Sequence, residues 1–282
     1  MKNKSLSIPY VVWMAFFVVA PLVLIVAYAF TARDGSVTLD NFNNMGVYFP
    51  AFYNSFALAA AATLLCILIG YPLAYFVSKE SLLVRKVAMM LIMLPMWMNF
   101  LLRTYAWMSL LDDNGLINQF LRTVGVFDLV NALSGGNMTC LHMINTQGAI
   151  VLGMVYNFLP FMIMPIFSVI DKIDPRVIEA AQDLGADNAM VFRKVVFPLS
   201  LPGVLSGVTM VFIPSVSTFA LSRLLGGGKT LLLGDLIEMQ FLGNAYNPHL
   251  GSAIALVMMV IVLVCMAVMN RFGEGEEGVS VL

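Results

Sequence analysis

Polar side chains inside otherwise apolar runs are the first candidates for chemistry in this sequence. Asn157, Ser215, Ser217 and Thr218 each lie within a long hydrophobic stretch, where polar groups often mark the path of a solute. The same residue types also form hydrogen bonds between packed helices in membrane proteins that have no pathway. Both interpretations stay open for these four residues.

Three aromatic residues and two acids could attract a cation. Trp97, Tyr105 and Trp107 could form an aromatic wall for an amine, with about 0.5–2 kcal/mol of cation–π attraction for each ring. A belt of aromatic residues at the membrane interface explains them equally well. Asp235 and Glu238 lie about one turn apart on a helix predicted over 231–242, and could guide a polycation or receive a partner protein. The alternative for this acidic pair is an ordinary solvated helix face.

The segment Gly226-Gly227-Gly228-Lys229-Thr230 is similar to the end of a phosphate-binding loop. The complete pattern requires a glycine at the position of Arg223 and a preceding strand. We therefore predict a turn rather than a nucleotide site, and any ATP with its magnesium would bind to another polypeptide.

The histidines and cysteines indicate no metal site or disulfide framework, since their spacing fits none of the known patterns. His142 and His249 lie in separate loops, and Cys140 is alone in a loop while Cys66 and Cys265 lie in apolar runs. We predict no catalytic residue, no metal and no cofactor in this chain.

The composition determines which elements position these residues. Of the 282 residues, 60% are hydrophobic and 11% are charged, and the mean hydropathy is +0.90, whereas soluble domains carry about 25% charged residues. The chain is therefore predicted to be an all-α, multi-pass membrane protein. Its net charge of -1 implies no nucleic-acid partner.

Six apolar runs are long enough to cross a hydrocarbon core of about 30 Å at about 1.5 Å per residue. The predicted spans are 9–30, 52–77, 87–111, 147–170, 199–221 and 251–270, within a single transmembrane domain over 1–282. Ala27-Tyr28-Ala29 is similar to a signal-peptidase site, but the run before it is longer than the usual hydrophobic region of a signal, which favours a retained helix. Arg103, near the outer end of the third run, is expected to reach water along the membrane surface.

Six spans place both termini on one side, and the basic residues indicate that this side is the cytoplasm. The side of the termini carries Lys2, Lys4, Lys79, Arg85, Lys86, Lys172, Arg176, Arg193, Lys194 and Arg271. The opposite side carries Arg33, Arg103, Arg122, Arg223 and Lys229. The loop over 171–198 is then the longest cytoplasmic loop, and the acidic tail over 273–282 is predicted to be disordered.

This cytoplasmic loop has the signals of two short helices. Asp174 and Pro175 are a favourable N-cap and first residue, Gly185 is a natural stop, Asp187 can cap a second helix, and Pro198 is expected to end it. The pair of helices could anchor the chain at the membrane surface or dock in a groove of a partner. The residue pattern alone leaves these alternatives about equal.

The spacing of one motif favours docking. Glu179-Ala180-Ala181, three residues, Gly185, nine residues, Val195, two residues and Pro198 resemble the EAA loop of ABC importer permeases, although Ile and Leu are usual where this chain has Val195 and Phe197. The segments 102–107, 155–162, 225–227 and 240–242, together with Asp174 and Ala186, resemble the spermidine/putrescine branch of that family. Asn247-Pro248-His249 departs from the Trp-Pro and apolar or aromatic residue expected there.

The resemblance implies a type I ABC importer permease fold with six transmembrane helices and cytoplasmic termini, in a bacterial inner membrane. It implies four kinds of partner: a second, distinct permease, two cytoplasmic ATPases that carry ATP and magnesium, an extracytoplasmic substrate-binding protein, and membrane lipid. Glu179 would pair with a basic group of an ATPase, Ala180 and Ala181 would allow close approach, and Gly185 would permit the bend. The implied coupling interface consists of Glu179, Ala180, Ala181, Leu184, Gly185, Asp187, Val195 and Pro198.

The resulting prediction is the permease subunit of an ATP-driven polyamine importer, which is not itself an enzyme. Importers of ferric iron, sulfate or another small solute share parts of the pattern. An ion-coupled secondary carrier would require paired acids within its spans, and the six predicted spans contain no acidic residue. A non-transporting scaffold would not explain the polar, proline-containing fourth and fifth spans.

Overall fold

The computed structural model of the protein describes residues 8–134, 139–243 and 245–273. Within these ranges the regular elements are helices, apart from one isolated β-bridge between Thr31 and Val37. Lys2, Lys4 and the tail from residue 274 onward, about which the sequence makes predictions, lie outside the described residues.

Five helices are long and apolar enough to span a membrane, and a bent pair completes a sixth span if the pair is counted as one. The long helices are α1 (Pro9–Ala29), α2 (Phe49–Ser78), α7 (Gln147–Ile170), α9 (Asn188–Ser217) and α12 (Pro248–Gly273). The bent pair is formed by α3 (Leu82–Met93) and α4 (Phe100–Leu111). The shorter helices are α5 (Leu116–Thr123), α6 (Val126–Ser134), α8 (Pro175–Asp183), α10 (Ala220–Leu225) and α11 (Leu233–Leu242).

The third predicted span, over 87–111, is not one continuous helix. The chain forms a 3-10 turn over Leu94–Trp97, and the helices on either side of the break meet at 92°. Pro95 cannot donate the next helical hydrogen bond, and Asn99 starts a new helix because its side chain accepts a hydrogen bond from the Leu101 amide at 2.8 Å. The break separates Trp97 from Tyr105 and Trp107.

The fifth predicted span also differs, because Pro198 does not end a helix. α9 runs continuously from Asn188 through Pro198 to Ser217. A π-helical turn over Phe192–Val196 precedes the proline, and this wider turn accommodates a ring that would otherwise clash with a carbonyl one turn earlier. α9 ends before the predicted position 221 because Thr218 is extended, with ψ 143°.

The centre of the bundle is formed by α2, α7 and α9, which pack against one another. Their contacts use small residues: a Cβ atom on Gly207 of α9 would lie 3.1 Å from the carbonyl oxygen of Met162 in α7. The hydroxyl groups of Tyr71 in α2 and Ser200 in α9 share a buried hydrogen bond of 2.8 Å. α12 packs on α1 and α11 at the side of this core.

Contacts between loops show which loops share an end of the bundle. At one end, the Arg85 guanidinium donates to the Asp171 carboxylate, so the α2–α3 turn and the loop after α7 lie together. At the other end, Arg33 donates to the Tyr246 carbonyl oxygen at 3.0 Å, and the Asn145 amide donates to the Leu225 carbonyl oxygen at 2.8 Å. The loops alternate between ends as predicted, while the assignment of one end to the cytoplasm stays a prediction.

Candidate functional site

The segment after α7 has the first predicted helix, α8, followed by the predicted glycine elbow, while the second predicted helix is the first part of α9. The Asp174 side chain accepts a hydrogen bond from the Arg176 amide at 2.9 Å, and the Asp187 side chain accepts one from the Met190 amide at 2.7 Å. Between the helices, Gly185 has a φ of +86°, a conformation that residues other than glycine rarely adopt. Three capping predictions are therefore confirmed.

The inner face of this loop packs on the body of the protein. Ile178, Ala181 and Ala186 lie against the apolar core formed by the ends of α2, α7 and α9, and Val195 packs there as well. Ala181 thus points toward its own chain, whereas the neighbouring Ala180 is exposed. Only part of the motif is free for a partner.

The outer face of α8 carries apolar and acidic side chains that its own chain leaves uncovered. Leu184 is 90% exposed, and Val177, Glu179, Ala180 and Asp183 are also exposed. Exposed apolar side chains on a short amphipathic helix can dock in a groove of a partner. The inner face of α8 packs on its own chain and its outer face is exposed. A force on the outer face would therefore be transmitted to α7 and α9.

The polar residues of the predicted pathway are mostly bonded within their own helices. The Asn157 side-chain amide donates to the Gly153 carbonyl oxygen at 2.8 Å, and Ser215 donates to that of Val211 at 2.7 Å. The Asn157 Oδ1 atom is buried without a hydrogen-bond partner in the described structure. Asn157 is therefore the one of this group that retains an unused acceptor inside the bundle.

Ser217 and Thr218 lie together at a cavity of about 390 Å³ beside the end of α9. Pro214, Phe219 and Ala220 form one wall, and Phe100 and Leu101 of α4 form the other. The break after α9 and the break before α4 thus meet at the same place. The structure brings these two sequence-predicted residues to a space that a solute could enter.

The three candidate aromatic residues do not converge. Trp97 is 79% exposed before the bend, whereas Trp107 packs edge-on against Tyr156 with ring centroids 5.3 Å apart. Tyr105 lines a different cavity, of about 550 Å³, together with Asp112 and Gln119. Among the described residues, no ring contact joins these three side chains.

The acidic pair on α11 does not form an ordinary solvated face. Asp235 is buried, and its carboxylate accepts hydrogen bonds from the Ser222 hydroxyl and from the Leu232 amide, the latter at 3.3 Å. Burial raises the pKa of the Asp235 carboxyl, and the hydrogen bond from Ser222 opposes this shift. Glu238 instead forms an ion pair with Arg223 at the surface.

Arg103 does not reach water as expected. Its side chain lies on the buried face of α4, the residue is 8% exposed, and its Nε and Nη1 atoms have no hydrogen-bond partner among the described residues. The bend before α4 explains the difference, because it turns this helix inward against α10 and α7.

The fold brings together one group of potential metal ligands that the sequence does not predict. His142 Nδ1 lies 2.9 Å from an Asp113 carboxylate oxygen, and the Cys140 sulfur lies 3.9 Å from His142 Nε2. Single ligand atoms of the three residues lie within 4.8 Å of one another. The Cys-x-His spacing can be seen in the sequence, but only the fold places Asp113 beside it.

The glycine-rich segment after α10 forms a turn, as predicted, with positive φ at Gly227 and Gly228.

Comparison with known proteins identifies relatives along nearly the whole chain. The family described as "Binding-protein-dependent transport system inner membrane component" matches residues 66–274. The spermidine/putrescine transport system permease protein PotB of Haemophilus influenzae is 36% identical over 267 residues, which cover 92% of this chain and 90% of that protein. PotB of Escherichia coli K12 is 35% identical, with 88% and 90% covered.

Solved structures show a similar fold. A permease chain of a bacterial ABC transporter that imports the acidic polysaccharide alginate superposes with a TM-score of 0.77 at 17% identity, over 96% of this chain and 94% of that one. The same transporter in complex with a pentasaccharide-bound periplasmic protein gives a TM-score of 0.78 at 15% identity, with 95% and 92% covered. The methionine transporter MetNI gives 0.56 at 16% identity, with 82% and 96% covered. The predicted importer permease fold is confirmed.

Proposed function

This chain belongs to the family of binding-protein-dependent transport system inner membrane components, and on that premise we propose that it is the permease subunit of an ATP-driven importer of spermidine and putrescine. It is a multi-pass inner-membrane protein, and its helices form one part of the pathway. The membership predicted from the spacing of Glu179, Gly185 and Pro198 is confirmed.

The assignment of the substrate rests on the similarity to spermidine/putrescine permeases across about nine-tenths of the chain. The partners of the proposed complex are a second, distinct permease, two cytoplasmic ATPases and an extracytoplasmic binding protein. In this proposal ATP and magnesium bind to the ATPases, and the glycine-rich turn of this chain has Arg223 where a phosphate-binding loop requires glycine.

The outer face of α8 supports the contact with an ATPase. Leu184 inserts into a cleft of that subunit, and Glu179 pairs with a basic group beside it. When the two ATPases close on ATP, they displace α8, and the displacement passes to α7 and α9, which flank the loop. The bound nucleotide thereby favours one of two access states through its higher affinity for that state.

Uptake into proteoliposomes tests the substrate. The complete complex is reconstituted with its binding protein, and labelled putrescine, spermidine and a ferric chelate are offered in competition, with ADP in place of ATP as the control. We expect ATP-dependent uptake of the two polyamines and not of the chelate. Uptake of another solute without polyamine uptake would refute the substrate and leave the permease assignment standing.

A matched pair of glutamate variants tests the coupling. Glu179→Ala should lower polyamine uptake and substrate-stimulated ATP hydrolysis together, while the amount of chain in the membrane stays the same. Glu80→Ala removes an exposed carboxylate from the neighbouring α2–α3 turn, so it should leave both activities unchanged. Equal activity of the two variants would contradict the proposed role of Glu179.

A further inference from the structure

Behind α8 lies a cavity that the transport pathway does not include. It has a volume of about 390 Å³ and lies between α8, the ends of α2 and α7, and the start of α9. Apolar side chains, among them Ile170, Ile178 and Val196, form part of its wall. The cavity thus lies beside the contact between α8 and these helix ends.

The polar part of the wall consists mainly of hydrogen-bond donors. Lys79 faces the cavity from the end of α2 and Arg85 from the first turn of α3. The side-chain amides face it from α8, at Gln182, and from the start of α9, at Asn188. The exposed side-chain amides of Gln182 and Asn188 make no hydrogen bond within the described part of the chain. Four side chains that can donate therefore surround one space.

The charges of the wall do not cancel. Asp171 is the only acid that lines the cavity among the described residues, and it already pairs with Arg85 Nη1. Arg85 Nε donates to the Glu80 carbonyl oxygen at 2.7 Å, which leaves Nη2 uncommitted. The Lys79 ammonium lies over the Tyr75 ring, 4.2 Å from its centroid, and forms no ion pair in the structure as described. One positive charge stays without a counter-ion.

We infer that this cavity binds a phosphate ester anion. A phosphate group accepts several charge-assisted hydrogen bonds at once, which Lys79, Arg85 Nη2 and the two amides would donate. Two sources share this chemistry: the headgroup of an anionic phospholipid and a soluble phosphate ester. Basic pockets between transmembrane helices at the cytoplasmic surface are suited to lipid headgroups, and the apolar wall would contact the glycerol and the first acyl carbons.

Binding here would connect the α2–α3 turn to α8. The anion would bridge Lys79, at the end of α2, and Gln182, on α8. It would lie on the side of α8 opposite to the proposed ATPase contact. It would thereby fix the resting position of α8. The binding site itself does not depend on the identity of the transported solute.

Binding of two defined probes to the full-length chain within its complex tests the site. One probe is phosphatidylglycerol in phosphatidylcholine nanodiscs, counted by native mass spectrometry, and the other is glycerol 1-phosphate in solution. Lys79→Gln should weaken binding of at least one probe on the order of tenfold, the effect expected for one charge-assisted bond. Lys86→Gln removes an exposed lysine that does not line the cavity and should change neither affinity.

The two probes distinguish the sources. Lys79-dependent binding of phosphatidylglycerol alone identifies a lipid, and Lys79-dependent binding of glycerol 1-phosphate identifies a soluble ester. Lys79→Arg keeps the charge and should retain binding, which separates loss of the anion site from misfolding. If Lys79→Gln and Lys86→Gln bind both probes equally well, the inference is wrong. No transport is measured, so this result is independent of the polyamine assignment.

Discussion

Gly203 of α9 lies so close to Pro165 of α7 that a Cβ atom on the glycine would stand 2.8 Å from the proline carbonyl oxygen. Real Cβ atoms do not approach backbone atoms this closely, so the two helices touch through their backbones at this point. α7 and α9 are also the helices between which the coupling loop lies. Their contact explains how a displacement of that loop could move both helices as one unit.

Replacing Gly203 with alanine should therefore destabilise the protein, because a backbone carbonyl cannot rotate out of the way as a side chain can. Overpacking of this kind costs about 1–3 kcal/mol, measured as a lower melting temperature in detergent. Gly148→Ala is the matched control, since its nearest atom is a threonine hydroxyl oxygen at 3.6 Å. Equal melting temperatures of the two variants would show that α7 and α9 separate more easily than their contact suggests.

Replacing Gly185 with valine should impair coupling without disturbing packing. No atom lies within 4 Å of a Cβ placed there, so the penalty comes from the positive φ alone, at about 1–2 kcal/mol. We expect reduced ATP-driven uptake at normal membrane levels. Gly185→Asn should retain more activity than Gly185→Val, since asparagine tolerates this conformation better. Lower activity of the asparagine variant would contradict a requirement for positive φ at this position.

Replacing Leu184 with serine should weaken the association with the ATPase and leave the chain itself stable. Leu184 is 90% exposed, and Leu242, at the opposite end of the bundle, is 83% exposed. Neither substitution removes a buried contact, so neither should change the melting temperature of the isolated chain. Co-purification of the ATPase should fall for Leu184→Ser and not for Leu242→Ser, and an equal fall would argue against docking through α8.

The buried carboxyl of Asp235 predicts a dependence of stability on pH. Because burial raises its pKa in the folded state above the ordinary value of 3.8, the folded protein holds this proton more tightly than the unfolded chain. Stability should therefore fall as the pH rises from about this value through the raised pKa. Asp235→Asn should remove this fall in melting temperatures measured from pH 4 to 8.

Asp34 is the control, because its pKa is shifted in the opposite direction to that of Asp235. Hydrogen bonds from Ser36 lower the pKa of this exposed carboxyl, so any contribution it makes is present above its ordinary pKa and is lost as the pH decreases. Asp34→Asn should leave the fall with rising pH in place. An unchanged pH profile in Asp235→Asn would mean that the carboxylate is better solvated than its burial indicates.

Features that depend on neighbours in sequence could be predicted without the fold. The apolar runs predicted membrane helices because such lengths of apolar side chain have no stable place in water, and the run over 147–170 is a helix with those bounds. Asp174, Gly185 and Asp187 act through backbone groups within three or four residues of themselves. Their caps and elbow were therefore predictable, as was the family through the spacing of its motif.

Only the tertiary structure decided what the proline and charged residues do. Pro95 accompanies a 92° bend, whereas Pro198 lies within a continuous helix, because a π turn precedes it. Asp235 is buried and accepts a hydrogen bond from Ser222, thirteen residues earlier on another helix, and Arg85 pairs with Asp171 across 86 residues. The burial and partners of a charge depend on packing between distant segments, which residue type and local spacing do not determine.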